Sequence, residues 1–282
     1  GSTTGTITAT ATNDSVYELD ETVIISISSV SGADATENGN QSQTITITND
    51  EAAPTVTFSV SANTIAENAG SSITMTATLS GATYEATTVN FTASGTSTLN
   101  DDYTVTTPIT IAAGSTTGTA TFTPVNDLMY ETNETAIFDV AAVTGGGVTE
   151  NGTQQQTITI TNDDSAPTLT LASSASSMDE NGSAVTLTGT LSNPTYQTVT
   201  VGLSASGTAT LNTDYALSAT SFTIASGTSS GTVTATPTDD STFEGDETVI
   251  IDVSSVSGGG ATESGTQQVT ITLNEDDAGP QL

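Results

Sequence analysis

An acidic signature recurs three times along this chain at a fixed step of 113 residues. Asp14, Asp127 and Asp240 mark its three copies, and each is followed by further glutamates. The same step separates three prolines, Pro54, Pro167 and Pro280. A constant step of this length indicates a tandem array, in which each repeat is one folded unit that contacts its neighbours along the chain.

Apolar residues alternate with Thr and Ser inside each repeat, in short runs bounded by Gly, Asn and Asp, as in 55–60 and 117–124. This period of two predicts β-strands with one buried and one wet face. About seven such runs per repeat predict an all-β chain of tandem immunoglobulin-like antiparallel β-sandwiches. In the penultimate strand of the two full repeats we expect four residues to face the core: Ile137, Val140, Ile250 and Val253.

The prolines divide the chain into repeats. We expect two full repeats at residues 54–166 and 167–279. Residues 1–53 match only the C-terminal half of a repeat, with its last three strands, and residues 280–282 match the start of another. The sequence therefore predicts a window on a longer array, because three strands alone would leave half of a core exposed.

The charge of the chain is extreme, with 32 acidic residues, no Lys, Arg or His, and a formal net charge of −32. No Asp or Glu can form a salt bridge to a side chain of this protein. Two carboxylates about 5 Å apart repel by about 3 kcal/mol at an effective dielectric of about 20. Nucleic acid and anionic membranes are therefore poor partners for this chain, and divalent cations are predicted instead.

The absence of certain residue types and of long apolar runs excludes further classes of protein and site. The chain has no Cys, which excludes disulfides and thiolate metal sites. It has no run of 18 apolar residues, so we expect no membrane insertion. Without Lys or Arg there is no cleavage site for trypsin-like proteases, which favours an extracellular or cell-surface location. General acidity of the proteome, as in organisms of saline water, is the alternative reason for the same composition.

The acids stand where strands end rather than along the strands. In a sandwich, loops that alternate in chain order meet at one pole, so acids far apart in sequence are expected to lie together. Many hard oxygen ligands favour Ca²⁺, which accepts six to eight of them in flexible geometry, over Mg²⁺, which demands a stricter octahedron. The sequence therefore predicts Ca²⁺ as the cofactor.

Four motifs of each full repeat resemble the Calx-beta domain family. They are Ala66-Glu67-Asn68 and Asp179-Glu180-Asn181, Asp102-Tyr103 and Asp214-Tyr215, the loops Tyr130 to Glu134 and Phe243 to Glu247, and the closing acids that include Asn162-Asp163-Asp164. The resemblance covers both full repeats and the half repeat. It implies the sandwich fold and calcium binding by the early Glu, the Asp before Tyr, the acidic loop and the terminal Asp cluster.

Carried over residue by residue, the resemblance implies metal ligands in all three repeats. The first full repeat offers Glu67, Asp102, Asp127, Glu131, Glu134, Asp163 and Asp164. The second offers Glu180, Asp214, Asp239, Asp240, Glu244, Glu247, Asp276 and Asp277. The half repeat offers Asp14, Glu18, Glu21, Asp50 and Glu51. Because Asn126 stands where the second full repeat has Asp239, we expect fewer or weaker ions in the first full repeat.

The expected function is that of a calcium-rigidified structural segment of a large extracellular adhesin, stalk or fibre, whose partners are calcium ions and neighbouring repeats. The alternative is a subunit of a self-assembling extracellular filament that contacts copies of itself. Ordinary solvated turn acids, and ice or sugar binding by the Thr rows, are competing interpretations. Paired carboxylates also occur in glycosidases, but the chain has no Trp and little aromatic surface to stack a sugar, so no enzyme is expected.

Overall fold

The computed structural model describes residues 1–281, and these divide into two compact units. The first unit comprises residues 1–125 and 134–161, and the second comprises residues 126–133 and the described residues from 162 onwards. Over the described range no helix is long and apolar enough to cross a membrane. The predicted start of a further repeat at 280–282 ends on Leu282, which lies outside the described residues.

The first unit contains fourteen strands. They are β1 Val16–Tyr17, β2 Glu21–Ser26, β3 Ser42–Ile47, β4 Thr55–Val60, β5 Thr64–Ala66, β6 Ile73–Leu79, β7 Ala82–Thr83, β8 Thr87–Gly95, β9 Tyr103–Val105, β10 Ile109–Ile111, β11 Thr117–Pro124, β12 Glu134–Thr144, β13 Thr149–Glu150 and β14 Gln155–Thr161.

Strands β4 to β14, except β7, build the sandwich of the first full repeat from two five-stranded sheets, ordered β10-β8-β12-β14-β5 and β13-β4-β6-β11-β9. Strand β7 pairs with β1 in a separate two-stranded sheet. Most neighbours are antiparallel, and the short edge strands β5 and β13 pair in parallel. Between the sheets, Tyr103 stacks on Phe122 at a ring-centroid distance of 4.9 Å. The ring of Phe138 meets Phe122 edge-on at 6.0 Å, which fixes the two sheets by aromatic packing as well as by aliphatic burial.

The second unit contains ten strands. They are β15 Thr168–Ser173, β16 Ser177–Asp179, β17 Val185–Leu191, β18 Val199–Gly207, β19 Tyr215–Leu217, β20 Ser221–Ile224, β21 Ser230–Pro237, β22 Glu247–Ser257, β23 Thr262–Glu263 and β24 Gln268–Asn274. They form the sheets β19-β21-β17-β15-β23 and β16-β24-β22-β18-β20, the same plan as in the first full repeat. Fully buried side chains, including Leu187, Tyr215 and Ile271, fill the space between them.

The all-β sandwich prediction is confirmed, and each predicted strand of the first full repeat is present. The structure adds strands of two or three residues, β5, β7, β9 and β13. Such short strands leave no detectable alternation in the sequence, because a period of two needs at least four residues to show itself.

The predicted facing of the penultimate strand is wrong at one position in each full repeat. Ala136, Phe138 and Val140 face the core of the first sandwich, whereas Ile137 is only half-buried. In the second sandwich Val249 and Ile251 are fully buried and Ile250 is not. Each strand carries a run of consecutive apolar residues, so alternation alone does not decide which of them points inward.

Residues 1–53 form only β1, β2 and β3. Residues 4–11 correspond to β11 at the 113-residue step but form no strand. In the full repeat β11 is held by β6 and β9, and residues 1–53 contain no counterpart of either strand. The hairpin of β2 and β3 consequently leaves large apolar side chains in water, with Ile24 exposed by 65%.

Candidate metal centres

Strand pairing in the second unit brings acids from distant segments to one end of the sandwich. Strand β16 runs parallel to β24, with Asp179 opposite Asn274. The amide of Glu180 donates to the carbonyl oxygen of Asn274 at 3.2 Å. The early Glu of the repeat is therefore held beside the acids that follow its last strand.

The first carboxylate triplet comprises Glu180, Glu275 and Asp276, whose ligand oxygens all lie within 4.8 Å of one another. Glu180 is only 6% exposed, and its Oε2 has no hydrogen-bond partner among the described residues. Burial, and then the negative charge of Glu275, raise the pKa of Glu180 to about 7. A buried carboxylate of this kind needs either a proton or a cation.

Glu275 is a member of this triplet that the sequence did not predict. Its Oε2 accepts hydrogen bonds from the amides of Glu244 and of Gly245, the latter at 2.8 Å, and its Oε1 accepts one from Asp277 at 2.8 Å. These amides hold the pKa of Glu275 below its usual value. The other repeats have Asn49 and Asn162 at this position, where an amide oxygen serves as a loop cap, so the repeat pattern gave no signal of a ligand.

The second triplet comprises Asp214, Glu244 and Glu247, again with ligand oxygens within 4.8 Å of one another. Asp214 precedes β19 and is positioned by the Thr210 amide, which donates to its Oδ2 at 2.6 Å. Glu247 begins β22, and its buried Oε2 has no hydrogen-bond partner in the described part of the chain. Burial, and then Asp214, raise the pKa of Glu247, while burial followed by Asp214 and Asp240 raises that of Glu244.

Three predicted ligands of this repeat lie outside the triplets but close enough to act on them. Asp240 raises the pKa of Glu180 through its charge, and its Oδ1 accepts a hydrogen bond from the Thr242 amide at 2.6 Å. Asp239 contributes to a raised pKa of Asp277, whose main causes are burial and Glu275. The buried Oδ2 of Asp277 also has no partner within residues 1–281.

In the first unit, two predicted ligands of the first full repeat meet directly. Asp102 and Glu134 have ligand oxygens within 4.8 Å of each other, at the start of β12. The Thr98 amide donates to Asp102 Oδ2 at 2.5 Å, as its counterpart does to Asp214. Glu67 is only 6% exposed, and its amide donates to the carbonyl oxygen of Thr161 at 3.1 Å.

The other predicted ligands of that repeat belong to the second unit. Asp127 and Asp164 have ligand oxygens within 4.8 Å of each other. Burial, and then the charges of Asp163 and Asp127, raise the pKa of Asp164. The amide of Glu131 donates to Asn162 Oδ1 at 3.2 Å, which fixes the acidic loop to the segment after β14.

The half repeat does not gather its acids in the same way. Its five predicted ligands line an open cleft of about 280 Å³ together with neutral residues: Asp14, Glu18, Glu21, Asp50 and Glu51. Burial, and then Asp14, raise the pKa of Glu18. Within the described residues, however, no three carboxylates of this segment converge to 4.8 Å. The segment has no counterpart of Glu180 or Asp214, which supply one corner of each triplet.

The donor set of the triplets fits a divalent cation with oxygen ligands. Every converging side chain is a carboxylate, and two of their oxygens are buried without a hydrogen-bond donor among the residues that the structure describes. The sequence has no cationic side chain to offer. Nitrogen- and sulfur-preferring metals lose their usual ligands, because His and Cys are absent. Such a site suits Ca²⁺, which takes mono- and bidentate carboxylates at variable coordination number.

The fold and these clusters define a class: tandem antiparallel β-sandwiches whose loops carry carboxylate groups. The model of the Calx-beta domain matches three consecutive segments, residues 1–52, 49–164 and 162–277. The chain belongs to the Calx-beta domain family.

Similar solved structures include CBD12 from CALX1.2, which is 13% identical, with 78% of this chain and 100% of that chain covered and a TM-score of 0.34. The apo-form Calx CBD1 domain is 18% identical, with 39% and 99% covered and a TM-score of 0.34. The Yersinia pseudotuberculosis adhesin InvE is 17% identical, with 78% and 58% covered and a TM-score of 0.33. A comparison with curated protein sequences gives no match.

Proposed function

We propose that the two triplets of the second full repeat bind Ca²⁺ and that the ions stabilise the loops at that end of the sandwich. One observation carries the proposal: six carboxylates converge in two groups, and within residues 1–281 the buried Oε2 atoms of Glu180 and Glu247 have no hydrogen-bond donor. The sequence contains no Lys, Arg or His to neutralise them. Bringing such groups together without a counter-charge is unfavourable, and a divalent ion reverses the sign of that interaction.

The 113-residue step extends the proposal to the other repeats. In the first full repeat the proposed ligands are Glu67, Asp102, Asp127, Glu131, Glu134, Asp163 and Asp164. In the half repeat, Asp14, Glu18, Glu21, Asp50 and Glu51 are weaker ligands, because the counterparts of Glu180 and Asp214 are missing there. Asp239, Asp240 and Asp277 support the ions of the second full repeat from just outside its triplets.

The biological role that follows is mechanical. We propose that repeats 54–166 and 167–279, with the half repeat 1–53, form a calcium-stiffened segment of an extracellular adhesin, stalk or fibre. Tandem Calx-beta repeats and the absence of Lys and Arg, which removes trypsin-like cleavage sites, support this role. Extracellular calcium modules bind with dissociation constants of about 10⁻⁴ to 10⁻³ M, and we expect affinities in that range here.

Isothermal titration of the chelator-treated chain with CaCl₂ tests the proposal. We expect at least two sites with dissociation constants of about 10⁻⁴ to 10⁻³ M, and much weaker binding of MgCl₂. Glu180→Gln and Glu247→Gln each remove one charged ligand from a different triplet, so each is expected to abolish or weaken one site.

The matched control is Asp252→Asn, which removes the same charge from β22. That carboxylate pairs with Gln268 on the neighbouring strand at 2.8 Å and belongs to neither triplet. Unchanged calcium binding in this variant is expected. Equal binding by all four proteins, or no binding by the parent chain at millimolar Ca²⁺, would overturn the proposal.

A further inference from the structure

An aromatic residue stands at the same place in the acidic loop of all three repeats. Tyr17, Tyr130 and Phe243 are separated by the 113-residue step, and each directly precedes a proposed ligand. The same turn presents each of them, because the carboxylate of Asp14, Asp127 or Asp240 accepts a hydrogen bond from the amide two residues later. The three aromatic side chains are therefore presented by loops of one conformation.

Tyr17 is seated within the first unit on the full repeat that follows it. Strand β1 pairs in parallel with β7, placing Tyr17 opposite Thr83, and the Tyr84 amide donates to the carbonyl oxygen of Tyr17 at 3.0 Å. The ring lies against Gly147, where an added Cβ would come within 2.9 Å of Tyr17 Cε1. The seat thus combines a short strand pairing with a glycine that leaves room for the ring.

Tyr130 makes the same contact within the second unit. Its amide donates to the carbonyl oxygen of Pro194 at 3.0 Å, and its carbonyl oxygen accepts from the Tyr196 amide at 3.1 Å. An added Cβ on Gly260 would lie 2.6 Å from Tyr130 Cε1. Both seats share a signature, a Thr-Tyr pair at 83–84 or 195–196 and a Gly-Gly-Gly loop at 145–147 or 258–260.

Phe243 has no such seat in the described structure. Its side chain is 50% exposed, and no strand among residues 1–281 pairs with it. Both Gly-Gly-Gly loops of the chain are already in contact with a tyrosine.

The half repeat has a loop of the same conformation but only the first of its three glycines. Gly32, Ala33 and Asp34 adopt φ values of 101°, 50° and 60°, close to the 99°, 53° and 66° of Gly258, Gly259 and Gly260. Asp34 therefore places a Cβ where Gly147 and Gly260 leave space for the ring. Residues 1–53 also contain no Thr-Tyr pair, so this segment does not offer a seat.

We propose that Phe243 is a docking residue for one kind of partner, a further Calx-beta repeat that carries the Thr-Tyr pair and a glycine at the position of Gly260. The seats of Tyr17 and Tyr130 show the geometry of such a contact. The turn that Asp240 stabilises already exposes the Phe243 ring for the same contact. This contact does not link copies of this chain to one another, because residues 1–281 offer no unoccupied glycine seat and Asp34 blocks the corresponding position in the half repeat.

The contact between Tyr130 and its seat is tested first in the unextended chain, by amide hydrogen exchange. Tyr130→Ala and Gly260→Asp are each expected to speed exchange of the Tyr196 amide by about tenfold or more, with no further increase in the double variant. Gly265→Asp is the matched control, since Gly265 has a similar φ of 68° and nothing within 4 Å of an added Cβ. Unchanged Tyr196 exchange in Gly260→Asp, or equal acceleration in the control, would overturn this contact.

The docking role of Phe243 is tested by joining residues 1–279 to a second copy of residues 167–279. Exchange at the Phe243 amide is expected to slow by about tenfold, as its counterpart is bonded in Tyr130, and to revert when the third glycine of the added copy is changed to Asp. Protection that survives this change contradicts the proposal. Sedimentation of the original chain provides the second test: it is expected to stay monomeric, and self-association abolished by Phe243→Ala would refute the choice of partner.

Discussion

The half repeat and the second full repeat share their acidic motifs but differ in what those motifs become. In residues 167–279 the hairpin of β22 and β24 is covered by a second sheet, and Val249 is fully buried. Its counterpart Val23 in β2 is 40% exposed. The carboxylates differ as well, because among the described residues three of them converge in the second full repeat and not in the half repeat. The convergence of three carboxylates thus depends on strands from both halves of the sandwich.

The largest difference is expected in the response to calcium. An ion that binds only the folded state at a hundredfold excess over Kd stabilises it by about 2.7 kcal/mol, so two ions contribute about 5 kcal/mol. Amide hydrogen exchange in CaCl₂ and in chelator measures the stabilisation by calcium for each segment. We expect strong added protection in β22 and β24 and little in β2 and β3. Equal added protection of the two hairpins in CaCl₂ would show that the half repeat responds to calcium as strongly as the second full repeat.

Core packing is expected to show the next largest difference. Ile251 is fully buried, so Ile251→Ala is expected to lower the free energy of unfolding of the second full repeat by about 2 to 5 kcal/mol. Ile25 is its counterpart on β2 and is only half-buried. Chemical denaturation of Ile25→Ala is expected to show a change well below that of Ile251→Ala, and matching losses would contradict the packing difference.

Removal of one ligand charge is expected to lower the stability of the calcium-bound protein and to raise the stability of the metal-free protein. Glu247→Gln keeps the size of the side chain but deletes a charge from the Asp214 triplet. In calcium the variant is expected to lose up to about 2.7 kcal/mol, the contribution of one ion. In chelator it is expected to melt higher than the parent, because repulsion is relieved.

Glu21→Gln is the matched control for that experiment, since Glu21 begins β2 as Glu247 begins β22. Its melting temperature is expected to respond far less to calcium. A destabilised Glu247→Gln in chelator would show that the side chain has a structural role independent of any ion.

The sequence predicted the sandwiches because Thr and apolar residues alternate over long runs, and its resemblance to the Calx-beta family implied five of the six triplet members. It missed the facing of Ile137 and Ile250, where alternation breaks down inside an apolar run. It also missed Glu275, because repeat equivalence pointed to the capping residues Asn49 and Asn162. Which side chains face the core and which acids join a triplet both depend on contacts between distant strands. No local sequence pattern encodes those contacts.

The smallest expected effect is that of pH on the metal-free protein, because the shifted groups partly oppose one another. Burial raises the pKa of Glu180 to about 7 from an ordinary value of 4.5, so the folded state holds more protons than the unfolded state between these limits. That contribution is fully present below about pH 4.5 and is lost as pH rises through about 7. Glu275, whose pKa is lowered by backbone amides, acts in the other direction and loses its contribution on acidification below its ordinary pKa. Since more carboxylates of the second full repeat have raised than lowered pKa values, including Glu247 and Asp277, stability in chelator is expected to decline from weakly acidic to neutral pH.

Saturating Ca²⁺ is expected to abolish this decline, because a bound ion replaces the proton. Urea unfolding across this range with and without Ca²⁺ measures both slopes, and a metal-free protein that becomes more stable towards neutral pH would show that these carboxylates are not held close together in solution.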